Sequence, residues 1–203
     1  NRAVTFNLAG FWTEISDYQT AITEQIANTV NFRQYIANIP GVRSRGVEAD
    51  LVAAPTDRIS FYASAAYADT TYSDYPNAPQ APERLNLSGK QDLTGEQLPG
   101  VPKFTYTLGG DASAPLGALG GRDLSLYAHA DYSHRSTFNT SSSDSRYADV
   151  PGFGIANARI GIRTDDGLFD LSIWARNLFD KDYFQTLSAQ NTGIVTALIG
   201  EPR

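Results

Sequence analysis

Apolar and polar residues alternate with period two in seven separate stretches of this chain, the pattern of strands whose two faces meet different surroundings. In the first, Val4, Phe6, Leu8 and Trp12 fall opposite Thr5, Asn7 and Thr13. Val47, Ala49, Leu51 and Ala53 then oppose Glu48 and Asp50, and Ile59, Phe61, Ala63, Ala65 and Tyr67 oppose Ser60, Tyr62 and Ser64. Phe104, Tyr106 and Leu108 oppose Lys103, Thr105, Thr107 and Asp111. Leu124, Leu126, Ala128, Ala130 and Tyr132 oppose Asp123, Ser125, His129, Asp131 and Ser133. Ala156, Ala158, Ile160 and Ile162 oppose Asn157, Arg159 and Arg163; Phe169, Leu171 and Ile173 oppose Asp170, Ser172, Trp174 and Arg176. Full charges occur on the polar faces and none on the apolar ones, so water lies on one side only. Each stretch has roughly ten residues, enough for a tilted strand to cross the apolar part of a bilayer.

The connections alternate in length. "APTDR" after the second stretch, "PLGALGGRD" after the fourth and "TDDG" after the sixth are short and carry the Pro, Gly and Asp-Gly chemistry of tight turns. Residues 16–40, 69–100 and 137–150 are long, polar connections, and another begins at Asp182. A transmembrane barrel has this rhythm, with short turns at the periplasmic end and long loops outside. A soluble sandwich would also show one apolar face per strand by burying it on a second sheet. A passive porin would share both the alternation and the loop rhythm.

Composition agrees with an all-β chain: Tyr 11 and Phe 10 suit pleated surfaces, and Gly 17 with Pro 10 punctuate them. A net charge of -6 argues against a nucleic-acid partner, which needs surplus Lys and Arg to displace counterions. Without cysteine there is neither a disulfide nor a thiolate metal site. No apolar run approaches the ~18 residues of a membrane-spanning helix. The chain opens directly in strand pattern, "NRAVTFNLAGFW", which leads us to expect further sequence ahead of it.

Three segments, "RSRGVEADLVAAPTDRISFYASAAYADTTY", "LPGVPKFTYTLGGDASAP" and "SIWARNLFDKDYF", resemble in this order the C-terminal barrel strands of TonB-dependent outer-membrane receptors. Gly46, Val47, Glu48, Pro55 and Thr56 match one family motif; Asn177, Leu178, Phe179, Asp180, Lys181, Asp182 and Tyr183 match another, which ends the penultimate strand. The resemblance implies an antiparallel meander of about seven transmembrane strands, residues 1–203 being an incomplete C-terminal part of a plugged barrel of about 22 strands. The plug domain and the final strand would then lie outside this sequence. It further implies active uptake of a scarce nutrient, above all a ferric siderophore complex, across the outer membrane of a Gram-negative bacterium. The partners would be outer-membrane lipid, the small ligand, and the TonB complex, engaged through the plug region. Leu171 and Ile173 would face lipid, Trp174 and Arg176 the lumen, and Phe179, Tyr183 and Phe184 the outer interface.

Residues able to grip a planar, anionic ferric chelate by stacking and charge are Tyr72, Tyr75, Phe138, Arg146 and Tyr147 in the expected external loops, with Arg135 at the mouth of one. "NTSSSDS" at residues 139–145 reads as a mobile polar loop tip. No catalytic, cofactor or metal site is expected. His129 and His134 point to opposite faces of a strand, so they cannot jointly hold a metal. Asp165 and Asp166 fit an Asp-Gly turn, and "GGDASA" at residues 109–114 a strand end without a base for Ser113. No G-x-S-x-G elbow, phosphate-cradling loop or H-E-x-x-H occurs.

Overall fold

The computed structural model describes residues 4–26, 29, 31–84, 90–189 and 194–203. Its strands are β1 (Val4–Gln25), β2 (Phe32–Thr56), β3 (Ile59–Asp74), β4 (Phe104–Leu119), β5 (Arg122–Arg135), β6 (Phe138–Asn139), β7 (Asp149–Val150), β8 (Phe153–Thr164), β9 (Asp170–Ala175), β10 (Phe184–Ala189) and β11 (Val195–Ile199). The seven alternating stretches form one sheet in the order β1-β2-β3-β4-β5-β8-β9, each strand antiparallel to the next. It is the open antiparallel meander that the alternation predicts.

Register settles which residues share a face. Leu8 pairs with Ala49, Ala49 with Ala65, Ala65 with Tyr106 and Tyr106 with His134. Lower down, Ala128 pairs with Ile160 and Ile160 with Ile173. Every apolar set read from the sequence therefore falls on one continuous face. On the other lie Asp50 beside Ser64, Ser60 beside Asp111, and His129 between Asp111 and Arg159.

The apolar face packs against nothing. Phe6 is 61% exposed, Leu171 60% and Ile173 78%. A soluble sandwich would bury these residues on a second sheet, and the described residues form none that covers them. At roughly 25 cal/mol per Å2, leaving such a face in water forfeits the main driving force for folding, whereas lipid tails solvate it.

The short turns are as tight as their residues allow. Gly120 and Gly121 alone join β4 to β5, at φ 61° and 79°, the doubly left-handed geometry of a two-residue hairpin that side chains resist. Asp165 to Gly167 turns β8 into β9, with Gly167 at φ 74°. "GGDASA" is not a strand end: β4 runs through it to Leu119, because Gly109 admits the Tyr62 ring from β3, 2.2 Å from where a Cβ would sit.

The long connections depart most from expectation. Most of residues 16–40 is not loop: β1 and β2 stay paired to Gln25 and Phe32, extending the hairpin well past its neighbours. Its alternation is interrupted at Asp17, left-handed at φ 54°. On β2 the pairing skips Pro40 opposite Asp17 and the register with β3 shifts between Gly41 and Val42, and across this irregularity Ile39 and Val42, three positions apart, enter the same buried cluster, which strict period-two geometry forbids. β3 likewise continues to Asp74, and β10 pairs with β11 as a separate hairpin.

Candidate functional site

At the long-loop end the connections fold into a structure with its own interior. Tyr72, Tyr75, Ala78 and Leu93 pack on Ile39 and Val42 of β2, with Tyr18 and Leu98 alongside. A second cluster joins Phe138, Val150 and Phe153, with Ile155, Tyr183 and Leu187 against it. Apart from Ile22, Ala81 and Ala148, also in this region, these clusters hold every buried hydrophobic residue among those described.

Polar clamps tie the loops together. Glu83 accepts from Ser145 Oγ at 2.8 Å and from the Arg146 backbone N–H at 2.9 Å. Gln91 Nε2 donates to the carbonyls of Pro79 and Ser143, both at 2.7 Å, and Gly100 N donates to the Asn139 carbonyl. Burial pushes the Glu83 carboxyl up, but its backbone, Ser145 and Arg146 hydrogen bonds outweigh this and leave it below the usual carboxylate range. Burial is the first cause that raises Asp144, followed by the nearby Glu96 and Asp149 charges. Further out, Lys90 donates to Glu24 at 2.9 Å and Arg33 pairs with the same carboxylate. The hydrogen bonds from Lys90 and then Arg33 hold Glu24 down at about 2.

The candidate ligand residues divide by burial. Tyr72 and Tyr75 are buried with ring centroids 5.0 Å apart, and Phe138 is buried in the second cluster. Burial pushes the Tyr75 hydroxyl up to about 12 and Tyr72 higher still. Arg135, Arg146 and Tyr147 reach solvent. Arg135 stands over the Phe153 ring at 5.1 Å and the Phe138 ring at 6.0 Å. Arg146 donates to Tyr147 Oη at 2.8 Å and lies 4.9 Å from the centroid of that ring. Both sit on the 3-10 turn Arg146–Ala148, capped by Ser145, whose Oγ accepts from Tyr147 N. The structure thus presents Arg146 and Tyr147 as a pair, fixed from below by Glu83. It does not bring them together with Tyr72 and Tyr75, which belong to the other cluster.

Residues 139–145 do not form the free tip expected of them: Ser145 is fully buried, Ser143 nearly so, and Asn139 Nδ2 holds the Ser145 carbonyl at 2.7 Å. Nothing in the sequence marks Glu83 and Gln91 as clamps, and Ser145 stands there only as the end of the polar stretch 139–145. Only the Ser-Arg-Tyr-Ala run, a polar cap before a turn, was available to find Ser145. Asn177 was matched to a motif without its task being visible. Left-handed at φ 45° and buried, it donates to the Lys181 and Glu201 carbonyls and accepts from Lys181 N, knotting the end of β9 to the last residues. Phe179 stands exposed beside this knot, whereas the Tyr183 ring packs tilted against Phe153 with centroids 4.3 Å apart.

On the charged face of the sheet, His129 Nδ1 lies 2.9 Å from Asp111 and Nε2 3.5 Å from Asp131, under the Tyr62 ring. His134 is on the opposite face against Tyr106. Tyr127 Oη donates to Asp170 at 2.7 Å, and Arg159 and Arg163 both stand over the Tyr127 ring. Among the described residues no three His, Cys, Asp or Glu are grouped to hold a metal ion. A cavity of about 260 Å3 at the long-loop end is lined by hydroxyl and amide groups, among them Thr23, Gln34, Thr140, Ser141 and Ser142.

Comparison with known proteins gives this architecture a setting. The sequence pattern of the family described as "TonB dependent receptor-like, beta-barrel" matches residues 1–178. The solved structure of the siderophore receptor PiuA from Acinetobacter baumannii superposes with a TM-score of 0.65 at 22% identity, over 98% of this chain and 25% of that one. This chain therefore spans about a quarter of the length of the receptor it matches.

Proposed function

We propose, from the premise that the chain belongs to the TonB-dependent receptor β-barrel family, that its seven-stranded sheet is wall and outer loops of an outer-membrane receptor for active uptake of a ferric siderophore complex. The family is one of transport receptors, which removes the porin and binding-module readings. Residues 1–203 would be a C-terminal part of the barrel; the plug, the contact with TonB and the final strand would come from elsewhere in the receptor.

The observation that carries the ligand reading is the solvent-facing Arg146–Tyr147 pair, with Arg135 held across Phe153. A guanidinium and a phenol ring fixed at hydrogen-bond distance offer an anionic, planar chelate both charge and a stacking face. Tyr72, Tyr75 and Phe138 would serve binding from beneath, by fixing the loops. Energy from TonB would act on the plug, so this part supplies recognition and enclosure, and no covalent chemistry.

The test is binding of ferric siderophores to the receptor that carries this chain, with growth under iron limitation alongside. Arg146→Ala should weaken binding about tenfold, the worth of a charge-assisted contact, and Tyr147→Phe by less. Normal affinity and growth in a double Arg146→Ala, Arg135→Ala receptor would overturn the reading.

A further inference from the structure

The polar cavity at the long-loop end has no part in the grip of Arg146 and Tyr147 on a chelate. It lies where the outer segments meet: the β1–β2 tip supplies Thr23 and Gln34, the connection between β3 and β4 Pro82, the connection between β6 and β7 Thr140 to Ser143, and β10 Ser188 and Ala189. Thr23 and Gln34 are a cross-strand pair. The next pair, Glu24 with Arg33, points to the other face, because successive pairs along a ribbon alternate. No ionisable side chain among the described residues lines the cavity.

Its polar groups divide into a fixed frame and a free set. Thr140 Oγ1 is spent on the Ala148 carbonyl, at 3.1 Å, and on the Leu187 carbonyl, which ties the loop to β10. Ser141 Oγ lies 3.0 Å from Ser143 Oγ and accepts from Ser143 N at 3.2 Å. The side chains of Thr23, Gln34 and Ser142, by contrast, make no hydrogen bond among the described residues. Each of these hydroxyl and amide groups can both donate and accept. Such a lining suits a group with several hydroxyls and no charge, since an ion here would give up hydration without meeting a counter-charge. At about 260 Å3 the cavity falls below the roughly 300–1,000 Å3 of a drug-sized ligand pocket, so it takes one ring and not a whole chelate.

We propose that this cavity binds a neutral sugar ring carried by the chelate that Arg146 and Tyr147 hold. The two places share a wall: Pro82 adjoins Glu83, whose carboxylate accepts from Ser145 Oγ and the Arg146 N–H, and Ser141 to Ser143 run directly into the same turn. Sugar hydroxyls meet Thr23, Gln34 and Ser142, and the C–H face of the ring meets Pro82. An attached sugar is favoured over a free one because a few neutral hydrogen bonds hold a free monosaccharide only weakly, whereas attachment makes the second contact intramolecular. This inference rests on the ferric siderophore reading above.

The experiment measures binding of two ferric triscatecholates to the whole receptor, one with glucose C-linked to its rings and one bare. The wild type should hold the glucosylated complex about tenfold more tightly, the worth of about one net hydrogen bond. A Thr23→Val, Gln34→Leu double variant should bring the two complexes to equal affinity. Ser142→Ala, which alters the facing wall and leaves the hairpin untouched, should reduce the preference, and Asn38→Leu, on the hairpin but outside the cavity, should keep it. Heat-modifiable migration of each variant checks that the barrel is intact. Equal affinity of the wild type for both complexes overturns the proposal, as does an unchanged preference in the cavity variants. Loss of the preference in micromolar free glucose also overturns it, by assigning the cavity to the unattached sugar. Failure to bind either complex, with no growth on either under iron limitation, would instead sink the siderophore reading and this inference with it.

Discussion

Wall and canopy obey different physics in one chain. The wall, from the short turns up to the level of Val47 and Tyr67, buries almost no apolar side chain, yet its residues are paired across every strand. The canopy of long connections contains nearly all the buried hydrophobic residues among those described, and the Glu83 and Gln91 clamps. Lipid replaces a core for the wall; the canopy, standing in water, has to make one. Stability in each region should therefore respond to different substitutions.

The largest separation is expected from Tyr72→Ala. Removing a buried aromatic costs about 3–5 kcal/mol, and hydrogen exchange should rise through residues 75–84 and 90–98 while β4, β5 and β8 keep their protection. Loss of protection in those strands would break the distinction. Ile160→Arg reverses the test: on the lipid face near the bilayer midplane it should cost about 2–4 kcal/mol of barrel stability, read as an earlier denaturant midpoint in detergent or lipid, with canopy proteolysis unchanged. Glu83→Gln should cost about 1–2 kcal/mol and expose residues 141–147 to protease without shifting the wall's melting.

The smallest effect belongs to acid. The Glu24 carboxyl is depressed from 4.5 to about 2, so the clamp to Lys90 and Arg33 contributes fully above the unfolded value and is lost as pH falls through about 2. Pepsin should cut the hairpin end faster at the bottom of that window than at its top. In Glu24→Gln that difference should vanish; its persistence would place the acid sensitivity elsewhere.

How legible each region was follows from the same contrast. Strict alternation across Leu124–Tyr132 or Ala156–Ile162 admits one assignment of faces, because a slip of one residue would turn charges toward lipid. The Gly120–Gly121 and Asp165–Gly167 turns announced themselves by chemistry. The canopy offered no such period: "QTAITEQIANTV" mixes polar and apolar residues, and Asp17 shifts the buried side midway. Glu83 and Ser145 stand far apart in sequence, and nothing local to either residue points to the other. Tyr72, Tyr75 and Phe138 looked like ligand residues because aromatics in polar loops usually do; their burial became visible only with the neighbours that cover them.

The ladder that resumes immediately beyond Asp17 has a mechanical consequence. Pairing between β1 and β2 holds on either side of it, from the wall to Gln25 and Phe32, so no slack segment separates the hairpin's tip from the rim. The hairpin is a cantilever clamped at the membrane surface, and its backbone bonds resist bending together. A push on the tip, from an arriving solute or a neighbouring cell's surface, reaches the barrel as torque instead of dissipating in a hinge.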